Sequence, residues 1–184
     1  MTASRKLLLA LAIVALAQTG VLAAMVIDRT LLLKNGREIV LPIVPVDPRD
    51  LFRGEYVRLG YDISNVPAML LVGPAPARNA AFYVTLEKNP QGGWTPVKVT
   101  AAIPNETNPD RVVLKARSRL PYPMSTRVNY GIESYFVPER QGRRLEDLAR
   151  EKKMAARVAV DARGNAALNG LIIEGVLQYE EPLF

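Results

Sequence analysis

The sequence predicts a mainly β protein, in which an N-terminal transmembrane helix precedes an antiparallel β-sandwich or barrel-like domain with one short helix. An uncharged apolar run lies near the N-terminus, and the rest of the chain alternates short β-branched stretches with Gly, Pro and Asn turns. Amphipathic helical spacing stands out in one later segment. The 184 residues are 49% hydrophobic and 23% charged, which suits one folded domain with an appendage.

The first element is the apolar run that begins at Leu7 and ends at Ile27, LLLALAIVALAQTGVLAAMVI. As a helix it would be about 30 Å long, which matches the hydrocarbon core of a bilayer. Arg5 and Lys6 precede it and favour a cytoplasmic N-terminus. We therefore expect residues 1–6 in the cytoplasm, a single-pass anchor over residues 7–27 and an extracytoplasmic β domain over residues 28–184.

A cleavable signal peptide is the alternative for this segment. Ala15-Leu16-Ala17 has the small-x-small form of a cleavage site. Cleavage there would leave the apolar stretch VLAAMVI, residues 21–27, exposed on the mature protein, which is unfavourable for a soluble domain. The sequence therefore favours an uncleaved anchor.

The next elements are strands. Asn35-Gly36 predicts a tight hairpin turn between residues 30–34 and 38–46, because this pair readily adopts positive φ angles. Pro42 and Pro45 make the second arm an edge strand or a bent one. Further strands are predicted at residues 55–63, 68–72, 81–87, 94–102, 111–117 and 127–137.

The C-terminal part predicts one helix and a closing hairpin. Leu145, Leu148 and Ala149 share one side of an amphipathic segment, residues 145–156. Residues 161–164, DARG, form the turn between strands at residues 158–160 and 167–173, and residues 175–179 add a last strand.

Composition excludes several kinds of chemistry. The chain has no cysteine and no histidine, which removes thiolate or imidazole metal sites, cysteine nucleophiles and histidine general bases. The net charge is +6, but the basic residues are scattered and no nucleic-acid-binding motif occurs. We expect no metal site, no cofactor and no nucleic-acid partner; any small-molecule ligand is undefined.

The stretch RGEYVRLGY, residues 53–61, contains an acid in an apolar row. In a strand, Glu55 shares one face with Val57, Leu59 and Tyr61. A carboxylate on a buried face needs a partner or a raised pKa. Glu55 is therefore either a structural anchor at the strand entrance or a reactive group.

The residues before Glu55 favour the structural interpretation. The turn-forming acids are Asp47 and Asp50, on either side of Pro48. Arg49 or Arg53 can pair with Glu55, and Gly54 permits the corner into the strand.

Catalytic alternatives rest on the same acids and on serines. Glu55 could form an acid/base pair with Glu133 or Glu139, and Glu133 alternates onto the side of Gly131 and Tyr135. Spacing leaves open whether these carboxylates meet. A Ser–Lys dyad is disfavoured, because no candidate serine has a lysine three residues later. Its candidates are Ser64, Ser118, Ser125 and Ser134 with Lys98 or Lys115.

Aromatic and basic residues offer binding surfaces. Tyrosines in strands more often pack in the core than form a ligand groove; they are Tyr56, Tyr61, Tyr83, Tyr122, Tyr130, Tyr135 and Tyr179. A basic run near the predicted helix is usually a solvated face, although it could meet anionic headgroups or an acidic partner loop. It comprises Arg140, Arg143, Arg144, Arg150, Lys152 and Lys153.

Two segments resemble the GDYXXLXY family of bacterial membrane-anchored proteins. Residues 46–61, VDPRDLFRGEYVRLGY, resemble its signature, with Glu55 in place of the signature Asp. Residues 130–139, YGIESYFVPE, with Gly142 and Glu146 after them, resemble its second block. The resemblance implies an inner-membrane anchor with a periplasmic domain, found alongside multi-pass membrane proteins, and it implies no known reaction.

These observations favour an anchored accessory module over an enzyme. We expect it to bind a multi-pass protein of the same bacterial inner membrane through a platform formed by the two motif segments. The predicted platform residues are Asp47, Pro48, Arg49, Asp50, Arg53, Gly54, Glu55, Tyr56, Leu59, Tyr61, Tyr130, Gly131, Glu133, Tyr135, Phe136, Pro138 and Glu139, with Arg140, Arg143 and Arg144 on its rim.

Overall fold

The computed structural model begins with one long helix. It describes residues 3–44, 56–77, 80–118, 126–136, 151 and 153–180. Helix α1 spans Ala3–Asn35, and its part from Leu9 onward is long and apolar enough to cross a membrane. The large apolar side chains of α1 from Leu9 to Leu31 are exposed, as expected for a helix whose surroundings are lipid. This helix is consistent with a membrane anchor, and it is also consistent with a signal sequence, because both are apolar helices near the N-terminus.

Ten strands follow in the described residues. They are β1 (Arg37–Val44), β2 (Tyr56–Arg58), β3 (Gly60–Tyr61), β4 (Phe82–Lys88), β5 (Trp94–Thr100), β6 (Arg111–Ala116), β7 (Ser134–Phe136), β8 (Met154–Val160), β9 (Ala166–Ile173) and β10 (Val176–Glu180). Single 3₁₀ turns occupy Asp62–Ser64 and Ala68–Leu70. The prediction of a mainly β, antiparallel protein with one N-terminal apolar helix is confirmed.

The strands form three open sheets. A five-stranded sheet has the order β10-β9-β8-β1-β3, a three-stranded sheet has the order β5-β4-β6, and β2 pairs with β7. All strand pairs are antiparallel. The sheets do not close into a barrel, so the barrel-like alternative is wrong.

One hydrophobic core joins the sheets. Alternate residues of β1 (Ile39, Leu41, Ile43) and of β6 (Val112, Leu114, Ala116) are buried. This period of two is expected where one face of a sheet is packed and the other is solvated. Both sets belong to the same buried cluster as Phe82 in β4 and Leu171 in β9.

The hairpin predicted around Asn35-Gly36 is wrong. Residues 30–34 continue α1, which ends at Asn35, and β1 starts directly after Gly36. Extending an established helix by two turns costs little, because nucleation is already complete. Leu32 and Leu33 also gain burial against Ala167 of β9. Tertiary packing therefore overrides the local turn signal.

Three other strand predictions need correction. Residues 55–63 do not form one strand: β2 and β3 join different sheets on either side of Leu59, and a 3₁₀ turn follows. Residues 68–72 contain the second 3₁₀ turn after Pro67, and only Leu71 makes a bridge. Within residues 127–137, Gly131 has a positive φ of 85°, which interrupts the extended chain, and the strand is limited to β7.

The predicted helix over residues 145–156 is wrong at its C-terminal end. Met154, Ala155 and Ala156 belong to β8, where Met154 and Ala156 are buried in the core. The apolar residues at that end serve a sheet face rather than a helix stripe. Residues 145–150 lie outside the described residues.

The end of α1 is packed closely against the large sheet. The backbone N–H of Gly36 donates to the carbonyl of Leu32 at 2.9 Å. A Cβ at Gly36 would overlap that carbonyl oxygen and would lie 3.1 Å from both Ala159 Cβ and Val160 N. Glycine is therefore required where the helix passes into β1.

Arg37 fastens the same junction to the three-stranded sheet. Its guanidinium lies over the ring of Trp94, 5.4 Å from the centroid. It also donates to the carbonyl of Arg111 at 2.6 Å and to the carbonyl of Pro109. The arginine side chain thereby connects the start of β1 to β5 and to the start of β6. The five-stranded and the three-stranded sheets are therefore joined at the helix end.

Replacing Gly36 by Ala should destabilise the domain. The added methyl group cannot be accommodated without moving the helix end from β8, so we expect a loss of about 1–3 kcal/mol in the free energy of unfolding. Chemical denaturation of the detergent-solubilised chain, followed by the fluorescence of its single tryptophan, measures this loss. Gly20→Ala in the same helix is the matched control, because a Cβ there meets nothing within 4 Å. Equal stability of the two variants would contradict the junction described above.

Candidate functional site

The structure brings the two motif segments together. Strand β2 pairs with β7, with Tyr56 opposite Phe136, Val57 opposite Tyr135 and Arg58 opposite Ser134. The backbone N–H of Leu59 extends the pairing by donating to the carbonyl of Glu133 at 2.8 Å. The last two residues of the signature segment, Gly60 and Tyr61, form β3, which pairs with β1. The signature segment therefore connects the second motif segment to the five-stranded sheet.

Two buried tyrosines hold these segments to each other. The Tyr61 hydroxyl donates to the carbonyl of Ile132 at 2.8 Å, and the Tyr130 hydroxyl donates to the carbonyl of Ile63 at 2.7 Å. Tyr61 of the signature segment thus binds a carbonyl of the second segment, and Tyr130 of the second segment binds a carbonyl two residues after the signature. Both rings are almost fully buried, as is Tyr135. The packing interpretation of these three tyrosines is the one that the geometry favours.

The environment of Tyr61 keeps its hydroxyl neutral. Burial raises the pKa of the Tyr61 phenol far above its ordinary value, and the negative charge of Glu133 raises it further. A neutral phenol can donate to the Ile132 carbonyl, whereas a phenolate cannot. Tyr61 is therefore a structural donor across the alkaline range in which an exposed tyrosine ionises.

Glu133 closes the loop that precedes β7. Its carboxylate oxygens accept the backbone N–H groups of Tyr130 at 2.6 Å and of Gly131 at 2.9 Å. Gly131 has a positive φ, which allows the chain to curl around the carboxylate. The side chain is half-buried, and its two oxygens are both engaged with its own loop. This arrangement orients the neighbouring Ile132 carbonyl toward Tyr61.

Several predicted platform residues lie outside the described residues. These are Asp47, Pro48, Arg49, Asp50, Arg53, Gly54, Glu55, Pro138, Glu139, Arg140, Arg143 and Arg144. For Tyr56 and Phe136 the backbone pairing is described. Leu59, Tyr61, Tyr130 and Tyr135 are buried, Glu133 is half-buried and Gly131 is exposed.

The Ser–Lys dyad gains no support: among the described residues, no hydrogen bond joins a candidate serine to Lys98 or Lys115. Ser118 Oγ donates to the carbonyl of Arg127 at 3.3 Å, and Ser134 is exposed on β7. The lysines Lys98 and Lys115 lie on β5 and β6 in the three-stranded sheet. Within the described ranges, no group of three or more acidic residues could hold a metal ion.

An open cavity that the sequence did not indicate lies beside the end of α1. Its volume is about 710 Å³, and α1 residues Asp28 and Leu31 form one wall. The loop between β5 and β6, at Ile103, and the turn between β8 and β9, at Arg163, form the opposite walls. These residues are distant in sequence and carry no shared motif, so only the tertiary structure could reveal the cavity.

Replacing Tyr61 by Phe should remove a pH dependence of stability. In the unfolded chain Tyr61 releases its proton near pH 10, whereas the folded chain keeps it protonated. The stability that Tyr61 contributes is therefore complete below pH 10 and falls above it, by about 1.4 kcal/mol per pH unit. Denaturation curves at pH 8 to 11 should show a shallower decline for Tyr61→Phe than for the unaltered chain. The same slope in both proteins would show that Tyr61 is not shielded in this way.

Replacing Glu133 by Gln should weaken the fold by about 1–2 kcal/mol. Glutamine is neutral and offers one acceptor oxygen, so one of the two backbone N–H groups loses its acceptor and the other keeps a weaker, uncharged one. Urea denaturation measures the change. Glu151→Gln is the matched control, because Glu151 is exposed and pairs only with Lys153 among the described contacts. A loss no larger than that of the control would contradict the role of Glu133 as a loop anchor.

One of the comparisons with known proteins identifies a family. No curated protein and no solved structure matches the chain. The model of the family described as GDYXXLXY protein matches residues 18–171, a range that includes both motif segments and most of the chain. The chain belongs to the GDYXXLXY family.

Proposed function

We propose that this protein is a membrane-anchored, extracytoplasmic accessory module that binds a multi-pass protein of the bacterial inner membrane. The binding surface is the platform formed by residues 47–61 and 130–139. The observation that carries the proposal is the way β2 and β7 are joined, with the polar atoms of Tyr61, Tyr130 and Glu133 engaged inside the protein. The described part of this surface, residues 56–61 and 130–136, is held in place by these bonds before binding, which lowers the entropic cost of association.

The helix supports a partner in the same membrane. Because α1 continues into the domain without a linker, the β domain stays close to the bilayer in which the helix lies. The loops of a multi-pass protein beside α1 are then within reach of the platform. Arg5 and Lys6, before the apolar run, support an orientation with the domain in the periplasm.

The described residues do not favour the carboxylate hydrolase. A general acid or base must be able to reach the substrate, and the two oxygens of Glu133 accept backbone N–H groups of its own loop. The other members of the proposed pair, Glu55 and Glu139, lie outside the described residues. The geometry of Glu133 is that of an anchor, and this favours binding over catalysis.

Site-specific photocrosslinking in intact membranes tests the binding surface. A benzophenone amino acid at Ser134, an exposed residue of β7, should form an adduct with a multi-pass membrane protein that mass spectrometry identifies. Thr95 is the matched control position, because it is also an exposed strand residue but lies on β5 of the three-stranded sheet.

The control defines which results count against the proposal. Adducts from Ser134 but not from Thr95 support the platform as the contact surface. No adduct from Ser134, with the full chain recovered in the membrane fraction, would contradict it. An adduct from Thr95 alone would assign binding to the three-stranded sheet and would also contradict it.

A further inference from the structure

Two loops of the β domain extend back along α1. The register pairs Arg37 at the start of β1 with Val160 at the end of β8, so the turn after Val160 continues past the helix end. Within that turn, an Arg163 guanidinium nitrogen lies 4.0 Å from a carboxylate oxygen of Asp28. Asp28 is seven residues before Asn35, which corresponds to roughly 10 Å along the helix axis.

This geometry sets the loops at a defined level relative to the apolar run. The run ends at Ile27, and Asp28 is the next residue. Ile103, from the β5–β6 loop, lines the cavity together with Leu31, which is about one helical turn after Asp28 on α1. The headgroup layer on each side of a bilayer is roughly 5–8 Å thick. A hydrocarbon boundary at Ile27 therefore places both loops within the headgroup layer.

The exposed side chains on these loops suit that layer. Ile103 is 44% exposed, and the Arg163 side chain is 80% exposed, with a single weak ion pair to Asp28 among its described contacts. An exposed apolar side chain beside an exposed arginine fits a boundary between acyl chains and phosphates. Arg29 and Lys34, both exposed on α1, add positive charge just beyond the end of the apolar run.

The turn that carries Arg163 is rigid. The Asp161 carboxylate accepts the backbone N–H groups of Arg163 at 2.9 Å and of Asn165 at 2.8 Å. The carbonyl of Gly164 accepts the backbone N–H of Lys115 at 2.7 Å, which fastens the turn to β6. The position of Arg163 relative to α1 thus follows from the fold.

We infer that the β5–β6 loop at Ile103 and the β8–β9 turn at Arg163 form a membrane-contacting rim, in which Ile103 enters the interface and Arg163 contacts lipid phosphate. The cavity between this rim and α1 is then occupied by phospholipid headgroups. The inference rests on the proposed function in one respect, which is that α1 spans a bilayer.

Single nitroxide labels on the full chain in phospholipid nanodiscs test the rim. The chain has no native cysteine, so one introduced cysteine is labelled without background. Ile103→Cys reports on the rim and Leu16→Cys on the middle of the apolar run. Val176→Cys is the matched control, because Val176 is exposed and lies beyond the far end of β9, about 25 Å along the strand from the Arg163 turn.

Electron paramagnetic resonance compares how accessible each label is to molecular oxygen, which concentrates in lipid, and to a water-soluble nickel complex. We expect the Leu16 label to be accessible mainly to oxygen and the Val176 label mainly to the nickel complex. The Ile103 label should be intermediate, with an accessibility to nickel at least threefold lower than at Val176. In detergent-free nanodiscs a nitroxide at Arg163→Cys should also broaden the ³¹P resonance of the lipids, and one at Val176→Cys should not.

Results other than these would overturn either the rim alone or the rim together with the anchor. A lipid-embedded Leu16 label with an Ile103 label as accessible to nickel as Val176 would overturn the rim and leave the anchor standing. A Leu16 label in water would overturn the anchor and, with it, the rim. Equal shielding of Ile103 and Val176 would also overturn the rim, because the contact would not be specific to this end of the domain.

Discussion

The reciprocal hydrogen bonds of Tyr61 and Tyr130 are the contact on which the arrangement of the domain depends. Residues 56–61 leave the two-stranded sheet and enter the five-stranded sheet within one short extended stretch. Such short strands provide few backbone bonds of their own, with only two register pairs between β1 and β3. The two buried phenols bind the carbonyls of Ile132 and Ile63, and loss of either bond would leave buried polar groups unsatisfied, at a cost of about 1–3 kcal/mol each.

Glu133 and the helix junction extend this constraint to the two ends of the domain. Glu133 curls its loop so that Ile132 presents its carbonyl to Tyr61. At the other side, Gly36 lets α1 approach β8, and Arg37 bridges to Trp94. The β domain is consequently continuous with its helix, and its orientation relative to the helix follows from packing rather than from a linker. A rigid connection of this kind suits the proposed function, in which the domain meets a membrane and a neighbouring membrane protein in one geometry.

Glu55, the acid in the stretch RGEYVRLGY, lies outside the described residues, but other residues of its predicted row are described. Leu59, Tyr61 and Ile63 of the same alternating row are buried, as the pattern predicts. The carboxylate whose contacts the structure describes is Glu133, which binds backbone N–H groups of its own loop. Alternation can indicate which residues share a face, but it contains no information about which backbone groups a carboxylate will meet, because these belong to a turn that depends on Gly131.

The sequence by itself determined the class of the protein: the apolar N-terminal helix, the antiparallel strands β4, β5, β6, β8 and β9, and the family, because these depend on local periodicity, on turn residues and on motif identity. Tertiary structure decided the rest. Whether residues 30–34 were helix or strand depended on burial of Leu32 and Leu33 against Ala167. Whether residues 154–156 were helix or strand depended on the space between β1 and β9. The hydrogen bonds from Tyr61 to Ile132 and from Tyr130 to Ile63 join residues far apart in the chain, as does the approach of Arg163 to Asp28. No local pattern encodes such distances.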